Sequence, residues 1–283
     1  MSDLYLVATP IGNLEDVSLR ALKVLEEAEL VLAEDTRRTR VLLDRHNIPA
    51  KPVSLHAHNE AGRVSKVLAV LDGGGDVALV SDAGTPLISD PGDRLVDAAL
   101  EAGHSVVPIP GASAPLAALA ASGLPAVPFT FVGFLPRRSG ECDRALESLH
   151  DRRDTLIFFE SPRRIAKTLE RLKEAFGERR ACVARELTKM HEEFARGSLS
   201  ELAERFAEGA RGECTLVVEG ASATAAVLTE DELDAAIRAR VAAGQSPREI
   251  SDQLAESSGL PKREIYARVV ALKSPSESGD VVE

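Results

Sequence analysis

Tryptophan is absent from this 283-residue chain, and aromatic residues make up only 4% of it. That scarcity excludes the extensive base stacking by which single-strand-binding proteins hold nucleic acid. Cysteine is nearly as rare. Cys142, Cys182 and Cys214 are odd in number and far apart, with no CxxC pair and no Cys/His cluster. Such spacing supports neither a disulfide framework nor a zinc site, so no metal is expected, and it fits a reducing, cytoplasmic setting. No apolar run is long enough to span a bilayer, and no membrane partner is expected. The opening MSDLYLVATPIGN has no basic n-region or long apolar h-region, which gives the expectation of no secretory leader.

An excess of positive charge is also missing. Against 34 basic side chains stand 45 acidic ones, a formal net charge of -11. A uniformly basic nucleic-acid coat is thereby excluded, and an RNA partner would need a local patch. One exists in the sequence: residues 136–190 hold 14 basic and 10 acidic side chains, net +4, including Arg137, Arg138, Arg152, Arg153, Arg163 and Arg164.

Several nucleotide and hydrolase motifs are lacking as well. No GxGxxG follows the first apolar run, and no GxxxxGK[ST], HExxH or GxSxG occurs. His56 and His58 form an HxH pair for which spacing suggests no third ligand.

What is present is a βα rhythm. Leu4–Ala8, Leu30–Ala33, Val53–Leu55, Val77–Val80 and Val106–Ile109 are short apolar runs without polar alternation, the pattern of buried parallel strands. Helical periods lie between them, as in Val64, Val67, Leu68 and Leu71. Beyond Pro125 and Pro128, a second α/β unit is predicted from Phe129–Phe134, Thr155–Phe159, Ala181–Ala184 and Thr215–Val218, with Phe194–Leu199 as a hairpin partner that would make its sheet mixed. Three short helical segments follow, and Ser246-Pro-Arg-Glu249 reads as a capping box. The expected organisation is an α/β domain over 1–125, a second over 126–226, a helix-turn-helix-like appendage over 227–273 and a polar tail over 274–283.

Four Gly/Pro-rich turns follow predicted strands at the sheet edge where open α/β sheets bind ligands. They are Thr9–Asn13, Glu34–Arg37, Ser81–Gly92 and Pro110–Ala114. Small residues there let a ligand approach the backbone, while the two aspartates of the longest turn need partners or solvent. With hydroxyls and backbone groups but no lysine for phosphates, these turns suit a nucleoside with an amino-acid tail better than a triphosphate.

The strings VATPIGNLED (7–16), EDTRRT (34–39), HAHNE (56–60), SDAGTPLISDPG (81–92), PGASA (110–114), FVGFLPR (131–137), FFESPRRI (158–165), RELTKMHEE (185–193) and GECTLVVEG (212–220) resemble, in order, the tetrapyrrole-methylase fold family of S-adenosylmethionine-dependent methyltransferases. The likeness is greatest to the branch that acts on small-subunit ribosomal RNA. It implies two α/β domains with a cofactor cleft between them, a helical appendage and a homodimer. It also implies methyl transfer from S-adenosylmethionine to the ribose 2′-hydroxyl of a decoding-centre cytidine in 16S rRNA, within the small ribosomal subunit.

By motif, the cofactor is expected at Pro10, at Ser81, Asp82, Ala83, Gly84, Thr85 and Pro86, and at Ser113 and Ala114. Phe134, Leu135, Leu187 and Thr215 are expected to close over it. A ribose hydroxyl is a weak nucleophile, so a general base or a stabilising cation is expected near it. Asp82, Glu160, Lys189 and Glu192 are the candidates, with Arg37 as electrostatic helper. A lysine serving as base would need its pKa lowered by burial. Arg137, Arg138, Arg163 and Arg164 are the candidate RNA contacts. Two other readings stand beside this one. The first is a tetrapyrrole methyltransferase of the same fold, against which SDAGTP counts because those relatives carry a GDP-type sequence. The second is a non-enzymatic regulator binding nucleic acid through the C-terminal helices.

Overall fold

A computed structural model describes residues 2–56, 59–222, 230–258 and 260–273. His58 and the 274–283 tail lie outside these. The chain forms two compact units, Met1–Gly220 and Ala221–Glu283.

The first unit begins with a parallel sheet. Its strands are β1 (Asp3–Val7), β2 (Leu30–Ala33), β3 (Val53–Ser54), β4 (Val77–Val80) and β5 (Ser105–Ile109), in spatial order β3-β2-β4-β1-β5. Helices cover both faces, which is why these strands read as unbroken apolar runs. On one face α1 (Leu19–Glu27) and α2 (Thr36–Arg45) bury Ala21, Leu25, Leu42 and Leu43 against Val7, Val31, Ala78 and Val80. On the other, α3 (Glu60–Asp72) and α4 (Asp93–Glu101) bury Val67, Leu71, Leu95 and Ala99 against Leu4, Leu32, Val77 and Leu79. The neighbouring central strands β1 and β4 therefore lead into helices on opposite faces. Their connections diverge and leave a crevice at their C-terminal ends. Across it Thr9 and Gly84 exchange two backbone hydrogen bonds, of 2.8 and 2.9 Å.

A second, mixed sheet follows: β6 (Phe129–Phe134), β7 (Thr155–Glu160), β8 (Arg180–Arg185), β9 (Glu193–Ser198) and β10 (Cys214–Val218), in order β6-β7-β10-β8-β9. β6 and β7 are parallel and the other pairs antiparallel, with β8–β9 the expected hairpin. One face packs on α6 (Ser139–Leu149), α7 (Ile165–Phe176) and α8 (Leu199–Arg205) through Leu146, Leu169, Leu172 and Leu202. The opposite face receives α5 (Ala114–Ser122), which follows β5 in the chain but places Ala118 and Leu119 against Ile157, Cys182, Ala184 and Val217. Ile11 and Leu187 join that cluster, so one apolar layer ties the two sheets together.

The second unit packs α9 (Glu230–Ala242), α10 (Pro247–Ser258) and α11 (Lys262–Lys273) around Leu233, Ile237, Ile250, Leu254, Ile265 and Val269. The capping box is present: Glu249 N donates to Ser246 Oγ, and Ser246 N donates to Glu249 Oε2 at 2.9 Å.

Candidate functional site

The turns that end β1, β2, β4 and β5 face the second sheet, and a cavity of about 420 Å³ lies between them. That volume falls in the range of small-molecule sites. From the first sheet come Ile11, Glu34, Arg38, the loop residues Asp82–Thr85, Ile88, Ser89 and Asp90, and Ser113, Ala114 and Pro115. From the second come Phe134, Phe159–Pro162 and Glu213–Thr215.

The β4 loop is held from beneath. Thr9 Oγ1 donates to the Ser81 carbonyl at 3.1 Å, and Ser81 Oγ donates to the Gly84 carbonyl at 2.9 Å. Gly84 adopts φ +89, a conformation that favours glycine, and this lets the loop turn back to pair with Thr9.

Carboxylates dominate the polar wall. Asp82 Oδ1 accepts from Asp35 N at 2.7 Å, and its other oxygen stands 3.7 Å from Arg38 Nε. Burial, then the nearby Glu34 and Asp82 charges, push Asp90 up to about 6, against a weaker opposing hydrogen bond from Ser81. Glu34 is raised as well, first by burial and then by Asp82, with Arg38 and His56 pulling the other way. A ligand that carries positive charge relieves this crowding.

Of the residues expected around a cofactor, the cavity wall gathers Asp82, Ala83, Gly84, Thr85, Ser113, Ala114, Phe134 and Thr215. Pro10, Ser81 and Pro86 are buried beside it. The side chain of Leu135 belongs to the core of the second sheet, and that of Leu187 to the layer joining the two sheets.

The catalytic candidates separate more sharply. Asp82 and Glu160 line the cavity; Lys189, Glu192 and Arg37 do not. Arg37 is 89% exposed and makes a two-pronged pair with Asp35, the N-cap of α2. Its neighbour Arg38 is the one on the cavity wall, because successive helix residues point about 100° apart. Exposed Glu192 accepts from Thr188 N at 2.6 Å. Lys189 corrects an expectation. Burial works to lower its pKa, but hydrogen bonds to Glu186 and Glu213, both 2.9 Å, outweigh burial and hold it above the ordinary lysine value. It is a cation held in a clasp where Thr188 Oγ1 accepts from Asn13 N at 2.9 Å.

Glu160 is wholly buried with both oxygens engaged: Oε1 by Ser161 N at 2.7 Å and Arg164 Nε at 3.5 Å, Oε2 by Thr168 Oγ1 at 2.6 Å. Arg164 also donates to the Leu135 carbonyl at 3.2 Å, which makes it a brace. Arg138 pairs with Glu141 at 3.2 Å. Arg137 and Arg163 are exposed, and among the described residues neither makes an ion pair.

Sequence reasoning missed Arg38, Phe159, Glu213 and Cys214 as cavity residues, and gave no role to Glu34 or Asp90. The last two had a signal, since both stand in turns already singled out. Among the described residues no group of three or more His, Cys, Asp or Glu side chains is arranged to hold a metal ion, and no helix is long and apolar enough to cross a membrane.

Two sheets meeting over a cavity at the ends of β1, β4 and β5 define a class, and residues 3–203 match it: the chain belongs to the Tetrapyrrole (Corrin/Porphyrin) Methylases, whose methyl donor is S-adenosylmethionine. Within that class it is 48% identical over 281 residues to the ribosomal RNA small subunit methyltransferase I of Mesorhizobium japonicum, covering 98% of this chain and 94% of the relative. It is 44% identical to the protein of that name from Synechocystis sp., over 97% and 99% of the two chains. The solved uroporphyrin-III-C-methyltransferase from Thermus thermophilus superposes with a TM-score of 0.56 at 25% identity, over 77% of this chain and 94% of that one.

Proposed function

We propose that this protein transfers a methyl group from S-adenosylmethionine to the ribose 2′-hydroxyl of a decoding-centre cytidine in 16S rRNA, acting on the small ribosomal subunit as a cytoplasmic homodimer. The observation that carries the reading is the carboxylate-walled cavity, in a chain whose curated relatives are named for small-subunit rRNA methylation.

When bound, the cofactor supplies an electrophilic methyl carbon on a positively charged sulfonium. The chain's residues fit such a group. Glu34, Asp82 and Asp90 would offset its charge, and Ala83, Gly84 and Ala114 would admit it close to the backbone. The Ser113 and Thr215 hydroxyls add neutral polar contacts, and Pro10, Ser81 and Pro86 support the floor. Fixing donor and acceptor in line contributes up to about 7–11 kcal/mol of the rate acceleration. Of the five catalytic candidates, Asp82 alone lines the cavity with a carboxylate oxygen held only by a long ion pair, which makes it the acceptor of the ribose proton.

The cofactor's affinity should depend on pH. With Asp90 pushed up to about 6, its carboxyl holds a proton below that pH unless a bound cation displaces it. Affinity measured by calorimetry is therefore expected to weaken as pH falls through about 6 and to level off above it. In Asp90→Asn that inflection should be lost; an unchanged profile would exclude Asp90 from the cofactor's charge balance.

The reaction itself is tested by supplying tritiated S-adenosylmethionine with 30S particles, naked 16S RNA or uroporphyrinogen. Label on a cytidine ribose is expected. Label on uroporphyrinogen alone, or on no ribosomal substrate, overturns the proposal.

A further inference from the structure

Two exposed apolar side chains line the cavity, each presented by unusual backbone. In β6 the pairing with β7 shifts register between Phe131 and Gly133, and Gly133 takes φ +75. Bulges of this kind re-aim the side chain that follows. Here that is Phe134, which lines the cavity yet is 57% exposed. Its ring rests on Phe159, 5.5 Å between centroids, and Phe159 is met edge-on by Phe131 at 5.0 Å. The ring is thus braced from behind, with much of its surface open.

Ile88 approaches from the β4 loop. It also lines the cavity and is 44% exposed. Leu87 and Ser89 on either side of it have φ of +72 and +70. Left-handed backbone is uncommon for such residues and collects where a site requires it. The two segments touch, since a Cβ on Gly133 would lie 3.3 Å from Ser89 Oγ. Arg137, three residues beyond Phe134, and Arg163, next to the cavity residue Pro162, carry the unpaired guanidinium groups described above.

We propose that Ile88 and the ring of Phe134 form an apolar jaw that holds the base of the target nucleotide, with Arg137 and Arg163 receiving its flanking phosphates. An exposed aromatic ring and an exposed aliphatic side chain on the cavity wall, with guanidinium groups close by in the chain, match a flat ring joined to anionic phosphate. One aromatic ring and one aliphatic side chain suit one base, in keeping with an aromatic-poor chain that reads a single presented nucleotide. The inference rests on the RNA reading above and assigns the Phe134 ring to substrate rather than to cofactor.

Phe134→Ala and Ile88→Ser, both at exposed positions, are expected to raise KM for the ribosomal substrate about ten-fold. Affinity for S-adenosylhomocysteine by calorimetry should stay within about two-fold. Because the chain has no tryptophan, Phe134→Trp adds a single reporter. Its emission should be quenched by cytidine 5′-monophosphate and by a 16S RNA transcript when S-adenosylhomocysteine is already saturating. Loss of cofactor affinity with KM unchanged, or quenching by cofactor and not by nucleotide, overturns the jaw. A wild-type protein that methylates no ribosomal substrate overturns the earlier reading instead, while the nucleotide titration still reports on the jaw.

Discussion

Gly84→Trp should give a folded protein whose affinity for S-adenosylmethionine has fallen by at least about 100-fold, equivalent to about 2.8 kcal/mol. Two quantities set this expectation. A Cβ at Gly84 would sit 3.5 Å from Ile11 Cγ2 and 3.7 Å from the Ala112 carbonyl, ordinary contact distances, so the backbone has room for its first atom. The left-handed conformation at φ +89 costs a side-chain-bearing residue about 1–2 kcal/mol, which is small against the roughly 5–15 kcal/mol that holds a domain together. The indole beyond that Cβ then competes for the cavity that Gly84 lines. Thermal unfolding checks the first half and calorimetry the second. Unchanged affinity in a folded variant would mean that the cofactor does not use this cavity.

Glu160→Leu should lower the midpoint of thermal unfolding by roughly 6–20 °C. The Glu160 side chain has no exposure, and its carboxylate is the partner of Arg164, Thr168 and the Ser161 amide. The buried Thr168 hydroxyl and the partly buried Ser161 amide lose their acceptor, at about 1–3 kcal/mol each, and with the pairing of the partly exposed Arg164 the loss comes to about 3–5 kcal/mol. Each kcal/mol moves the midpoint by about 2–4 °C in a unit of this size. Glu160→Gln keeps the shape and one acceptor oxygen, and should lose less stability and retain methyl transfer. A glutamine variant that unfolds normally but transfers no methyl would show that Glu160 is a base after all. A leucine variant with an unshifted midpoint would refute the bracing role.

Much of the fold was legible in the sequence because burial leaves a simple pattern. β2 and β4 begin and end where the apolar runs do, since strands covered on both faces need apolar residues at every position. The four turns at one sheet edge were legible because glycine, proline and short polar residues mark chain reversals. Pairing was less visible. Nothing in the Ala-rich string 114–122 says that α5 belongs under the second sheet, because an apolar helix is equally content against either layer.

The site divided along the same line. By itself the sequence determined the residue types at the strand ends, the acidic balance, the arginine-rich segment and the family. These are properties of composition, of local pattern and of strings long enough to be specific. Only the tertiary structure decided which charges meet. It gathered Glu34, Asp82 and Asp90 from two turns that residues 38–80 separate, chose Arg38 over Arg37, tied Lys189 to two carboxylates and buried Glu160 under three donors. Electrostatic roles depend on distance and burial, and those are fixed only when remote segments pack.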